Sequence, residues 1–142
     1  MMASALPLVL VVAAIAALAV TGNLLSASPF VIAAQVAAIG LNVWARRSFN
    51  AGTFRVSAAP GGTAIIRRGP YGVIRHPMYS AVLLFVWAAV LSHVSALTLT
   101  IGAAVTVIAV TRVFTEERLL RAQYPDYEDY SRSTKALVPY VF

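Results

Sequence analysis

No cysteine occurs in the chain. Disulfides, thiolate nucleophiles and cysteine-based metal sites are therefore excluded. Charge is almost as scarce: Asp, Glu, Lys and Arg make up 11% of the 142 residues, against 60% hydrophobic residues and a mean hydropathy of +0.80. A water-soluble domain ordinarily carries about a quarter charged residues, so the composition is that of a membrane protein. Acids are the rarest class, five against eleven Lys and Arg, which leaves a net charge of +6. In a soluble chain that balance would suggest nucleic acid; here the distribution of charge says more than its total, and no nucleic-acid partner is expected.

Arg46, Arg47, Arg55, Arg67, Arg68 and Arg75 fall in one block, and Arg112, Arg118, Arg121, Arg132 and Lys135 in another. All the acids, Glu116, Glu117, Asp126, Glu128 and Asp129, belong to the second block. The blocks alternate with apolar runs at about Ala5–Val20, Phe30–Ala45, Met78–Leu91 and Leu97–Phe114, near the ~20 residues a spanning helix needs. TGNLLSASP and SHVSA, both uncharged and turn-forming, join them pairwise. The pattern predicts an all-α integral membrane protein with four transmembrane helices in two antiparallel hairpins, a cytosolic loop and a helical tail after the fourth helix. Because cationic loops stay on the cytoplasmic side, both termini and the central loop are expected there. As one membrane domain, residues 1–45 form the first hairpin, 46–77 the loop, and 78–142 the second hairpin and tail. A cleaved signal peptide ending near Ala17-Leu18-Ala19 is the competing reading of the first run, but no Lys or Arg precedes it.

Within the loop, Thr53–Val56 and Thr63–Ile66 have strand character around a Pro60-Gly61-Gly62 turn, so a short hairpin is expected. Arg46 and Arg47 read as anchors for anionic lipid headgroups. Gln35 and Asn42 share a helix face suited to hydrogen bonding across the bundle. The Arg75-His76-Pro77 triplet is more informative. Proline suits the first helical position and biases the residue before it away from helix, which puts His76 at the threshold of the third helix. The positive end of a helix opposes imidazolium, so His76 is expected to be neutral at pH 7. Across the second hairpin, Glu116 and Glu117 stand where the fourth helix leaves the bilayer. Consecutive helical positions point about 100° apart, so one of them is expected to face inward and the other water. Arg112 with Glu116 and Glu117 with Arg121 have the spacing of surface ion pairs.

With GPYGVIRHPMYS at one helix start and EERLL, YPDYEDYSR and LVP after the other, residues 67–139 resemble the isoprenylcysteine carboxyl methyltransferase and phospholipid methyltransferase group of integral-membrane enzymes. The resemblance implies an S-adenosylmethionine site on the cytosolic side, with Arg75, His76, Tyr79, Glu116 and Glu117 at the matching positions. Their chemistry suits such a ligand: a helix start beside Arg75 for its carboxylate, glutamates for its ammonium and ribose hydroxyls. Tyr71, Tyr79 or Tyr127 offers an aromatic face to its sulfonium. The acceptor would be a small lipophilic molecule entering from the bilayer. A carboxylate acceptor calls for Arg112 or Arg118; an amine or thiol calls for a base, His76 or Glu116. The group often has Gly where this chain has Ala81, and a basic residue where it has Ala136, differences that bear on substrate class. The first half is also shorter than in the eukaryotic prenylcysteine enzymes. This implies a bacterial or archaeal inner-membrane type and a substrate other than a farnesylated protein.

Three other classes stand against this. A small transporter needs an ionisable group inside the membrane, and none lies within the four runs. A non-catalytic membrane subunit leaves the RHP and EE motifs without a task. A nicotinamide-dependent membrane reductase is suggested by a likeness of sterol reductases to this group, but no glycine-rich dinucleotide fingerprint is present. No metal site is expected, since His76 with the two glutamates lacks a second nearby histidine.

Overall fold

The computed structural model describes residues 2–48 and 65–139, and among them it contains five α-helices, a short 3₁₀ turn and no strand. Helices α1 (Met2–Val20) and α2 (Pro29–Arg47) cover the first two apolar runs. The 3₁₀ turn Gly69–Gly72 precedes α3 (Pro77–Ser92), and α4 (Ala96–Gln123) and α5 (Tyr127–Ser133) follow. Proline stands at the first position of α2 and of α3, where its missing N–H costs nothing. Ser95 and Thr98 start α4 by exchanging bonds, each side chain accepting from the other's backbone N–H at 3.1 and 2.9 Å. α4 runs nine residues past the apolar stretch ending at Phe114, because TEERLLRAQ is rich in good helix formers. The expected β-hairpin at 53–66 lies almost wholly outside the described residues; Ile65 and Ile66 at its edge are not in a strand.

Leu18 of α1, Val86, Ala89 and Val90 of α3 and Val105 of α4 form the main core. Small residues set its closeness, as lipid-embedded helices require: Gly102 of α4 lies under Trp87 and Val90, where even a Cβ would be crowded. Trp87 spends its indole N–H on Thr106 Oγ1 at 2.9 Å. Contacts advance in opposite directions along the two helices, from Val90–Gly102 through Trp87–Thr106 to Tyr79–Glu116, so α3 and α4 run antiparallel. α1 and α2, expected to pair, find other main partners: α2 packs along α3, and α1 along α4. The intervening segment is long enough to separate them, and it is itself held by Gln35, whose Nε2 donates to Leu24 O at 2.8 Å. Gln35 thus fixes a turn rather than bridging helices, and Asn42 accepts from Arg46 of its own helix.

The outer surface is apolar. Leu6, Val9, Val12, Phe30, Ile32, Val36 and Ile39 are all exposed. Among the described residues α2 and α4 are long and apolar enough to cross a membrane, and Ala5–Val20 of α1 and Pro77–Ser92 of α3 are shorter apolar stretches. At 1.5 Å per residue α4 is roughly 42 Å long, against a hydrocarbon thickness of about 30 Å.

The 3₁₀ turn docks on the end of α2 through Gly69, which has φ of +60° and sits where a Cβ would strike Ser48 Oγ and come within 3.2 Å of Trp44 Nε1. Gly69→Ala therefore meets both a left-handed backbone penalty of about 1–2 kcal/mol and a clash. Thermal unfolding in detergent should show a lowered midpoint for it, whereas Gly40→Ala, with open space at its Cβ, should leave the midpoint unchanged or slightly raised.

Candidate functional site

The start of α3 is held by main-chain bonds from a distant segment. Arg75 N–H donates to Lys135 O at 2.7 Å, His76 N–H to Ala136 O at 3.0 Å, and Lys135 N–H to Val73 O at 3.0 Å, a single parallel bridge centred on Ile74 and Lys135. Ser80 Oγ adds a bond to Leu137 O at 2.5 Å. Residues 134–138 thus form a strap across the residues leading into α3, and the strap aims the side chains of Arg75 and His76 at α4.

His76 lies between the two glutamates. Its Nδ1 is 3.6 Å from Glu116 Oε2 and its Nε2 is 3.5 Å from Glu117 Oε1, with the His76 side chain 5% exposed. Those are ion-pair separations, too long for good hydrogen bonds, and Nε2 is left buried with no hydrogen-bond partner. Arg75 Nε donates to Glu117 Oε1 at 2.8 Å, and its Nη1 to Ser131 O at 2.9 Å and Thr134 O at 2.5 Å. Tyr79, one turn into α3, donates to Glu116 Oε1 at 2.6 Å and accepts from Arg112 Nε at 3.2 Å. Arg112 Nη2 is also 3.3 Å from Glu116 Oε1. On the far side, Arg121 approaches Glu117 Oε2 at 3.6 Å from a more exposed position.

Two expectations need correction. Both glutamates face inward, with side chains 20% and 11% exposed, because His76 is inserted between them and engages one carboxylate with each ring nitrogen. The direction expected for His76 is also reversed. Burial lowers its pKa, but the carboxylates of Glu116 and Glu117 on either side of the ring outweigh burial, and the net shift is upward. Two full negative charges in contact exceed the partial charge of a helix end.

Most of the expected site residues gather here: Arg75, His76, Tyr79, Arg112, Glu116 and Glu117. Arg118 does not; it is exposed on α4 and no ion pair ties it to this cluster. Tyr127 is 1% exposed beside Tyr130, with its hydroxyl buried and without a hydrogen-bond partner. Burial, with Glu117 nearby, keeps its phenol protonated. Tyr71 is buried too, and its carbonyl accepts from Tyr130 OH at 2.7 Å; burial pushes the Tyr130 phenol up to about 12. Sequence reasoning missed Ser80, Ser131, Thr134 and Ala136. Three of these act through main-chain carbonyls, which side-chain identity does not reveal.

The model of the phospholipid methyltransferase family matches residues 1–127, and the chain belongs to that family. Similar curated proteins are the cobalt-zinc-cadmium resistance protein CzcN of Cupriavidus metallidurans, 30% identical over 76 residues, and the nickel-cobalt-cadmium resistance protein NccN of Alcaligenes xylosoxydans xylosoxydans, 31% identical over 80 residues. The matched stretches cover 53% and 54% of this chain but only 35% and 37% of those proteins. No solved structure matches the chain.

The His76 shift fixes the sign of a pH effect. A folded-state pKa above the unfolded value of about 6.5 means that this group's contribution is complete below about pH 6.5 and is lost as pH rises through the raised folded value. The unfolding midpoint should therefore fall over that range, and His76→Gln should flatten the fall. Histidine ring chemical shifts against pH in detergent check the assignment: His76 should titrate above the ordinary value.

Proposed function

We propose that the chain is an S-adenosylmethionine-dependent methyltransferase acting on a small lipophilic or lipid-like acceptor at the cytosolic face of the membrane. One observation carries the reading: the start of α3 and the projecting end of α4 meet in a largely buried charged cluster, with His76 between Glu116 and Glu117. In this reading the chain crosses the bilayer four times, with both termini and the Arg-bearing loop on the cytosolic side. The excess length of α4 supports it, because a helix of about 42 Å in a core of about 30 Å puts its charged final turns in the interface.

The residues fit the cofactor. His76 Nε2 and Tyr127 OH are buried polar atoms left without hydrogen bonds, positions that a ligand's polar groups would complete. Glu116 and Glu117 suit an ammonium and ribose hydroxyls, and the rings of Tyr71, Tyr79 and Tyr127 suit a sulfonium. Arg75 already has three oxygen partners within the chain, so its work is to position Glu117 and the strap rather than to hold a ligand carboxylate.

S-adenosylmethionine supplies a methyl group on an already activated carbon, so the protein contributes binding, alignment and exclusion of water. Arg112 lies one turn deeper along α4 than Glu116, about 6 Å nearer the bilayer centre, and suits a carboxylate acceptor. For an amine or thiol acceptor a base is needed. The candidates are His76, whose ring lies between the two carboxylates, and Glu116, whose Oε1 already accepts from Tyr79. The metal resistance in the names of CzcN and NccN is a property of those longer proteins and adds no metal role here.

Calorimetric titration of the detergent-solubilised chain with S-adenosylmethionine, S-adenosylhomocysteine and NADPH tests the proposal. Binding of the first two and not the third is expected. His76→Ala and Glu116→Ala should each weaken that binding at least tenfold, about 1.4 kcal/mol, and Arg46→Ala should not. Selective NADPH binding, or equal losses in all three variants, overturns it.

A further inference from the structure

Nothing in the proposed chemistry explains why Tyr127 OH, which has no hydrogen-bond partner, and His76 Nε2, 3.5 Å from Glu117 Oε1 and without a hydrogen bond, are sealed from solvent. A polar ligand cannot reach either without something moving. The helices are poor candidates. α3 and α4 are locked at Gly102, where the Trp87 and Val90 side chains touch α4, and by the Trp87–Thr106 bond. α2 packs along the length of α3. The strap is held differently. Its fastenings are the three main-chain bonds to Val73, Arg75 and His76, the Ser80 hydroxyl on Leu137 O, and the Arg75 guanidinium on Thr134 O. Its apolar contribution is confined to Ala136 and Leu137, packed on Tyr79, Leu83, Val110 and Val113. Each hydrogen bond of this kind contributes only about 0.5–1.5 kcal/mol net.

The geometry points to the segment Thr134–Leu137 as a movable cover over the site, with Ser80 as the positioning residue that pins it shut; this rests on the methyltransferase reading for what enters. When the strap lifts, the α3 start loses the bonds that aim His76, and the face under Ala136 and Leu137 is uncovered at Tyr79, whose hydroxyl meets Glu116 and Arg112. When it closes, the carbonyls of Lys135 and Ala136 return the Arg75 and His76 backbone to the arrangement described above, and water is expelled. Ser80 is suited to the task because its hydroxyl reaches both ends of the fastening: it lies 3.2 Å from His76 O, within its own helix turn, and 2.5 Å from Leu137 O on the strap.

Two measurements on the full chain test this. In the first, hydrogen exchange in detergent follows the amides of Arg75, His76 and Lys135, which should exchange as one set and faster than amides in the middle of α3 and α4. Ser80→Ala should speed that set roughly three- to tenfold, the equivalent of one lost hydrogen bond. Ser80→Thr, which keeps the hydroxyl, should restore the original rate, and α4 should not respond. Exchange of the set at core rates, or no response to Ser80→Ala, overturns the strap. The second measurement uses the absence of cysteine. Ile74→Cys with Lys135→Cys places two thiols across the bridge, where paired segments about 4.8 Å apart fall in the disulfide range of about 4.4–6.8 Å. Oxidation should abolish S-adenosylhomocysteine binding and reduction should recover it. Undiminished binding by the oxidised chain shows that the strap need not open and sinks the proposal. If the parent chain binds no S-adenosylhomocysteine, the methyltransferase reading falls, while the exchange rates still decide the strap.

Discussion

A buried charge needs a partner, and in this chain the partners come from different helices. His76 and Arg75 enter from the start of α3, while Glu116 and Glu117 come from the far part of α4, 42 residues away in the Arg75–Glu117 pair. With both side chains 11% exposed, that pair adds little over an apolar contact, because desolvation offsets most of the attraction. Its importance lies in what happens when one member is missing. Removing one charge from a buried pair costs about 3–5 kcal/mol, so the two helix ends are committed to meeting in one register. The antiparallel packing above them, with Gly102 beneath Trp87 and Val90, brings the ends together, and the charges set how they face.

This division between apolar packing and polar fixing explains which features were legible in the sequence. The apolar helices could be read within a few residues, except at the charged end of α4, because hydropathy decides them and proline marks two of their starts. The gathering of Arg75, His76, Tyr79, Glu116 and Glu117 was implied by the resemblance to the methyltransferase group, and the short turn between α3 and α4 already placed the two glutamates on the same side as His76. The neighbours of α1 and α2 could not. Ala-rich faces specify close approach but not with which helix, and Gln35, which suggested a bridge between helices, serves a turn instead.

The direction of the His76 shift was misread for a related reason. Sequence gives the local field of a helix start, whereas the glutamates act from another element at contact distance. The strap is hidden for a different reason still. Ala136 stands where the family often has a basic residue, yet its role here is carried by its carbonyl, which accepts from His76 N–H. A main-chain acceptor is supplied by any residue, so substitution at that position can leave the fastening intact while changing what the side chain offers.

The depth of these groups along α4 links the electrostatics to the membrane. Arg112, Glu116, Glu117 and Arg121 occupy consecutive turns where the helix passes from an apolar to a charged sequence. An arginine nearer the bilayer centre is costly unless its donors are engaged. Arg112 meets that condition through Tyr79 and Glu116. Tyr79 is in turn fixed between Arg112 and Glu116, so the deepest charge and the His76 ring are coupled through one carboxylate. Any group that draws on Glu116, whether a ligand ammonium or a proton from an acceptor, necessarily alters the balance at both Arg112 and His76. The shared carboxylate has only two oxygens to divide among Tyr79, Arg112 and His76.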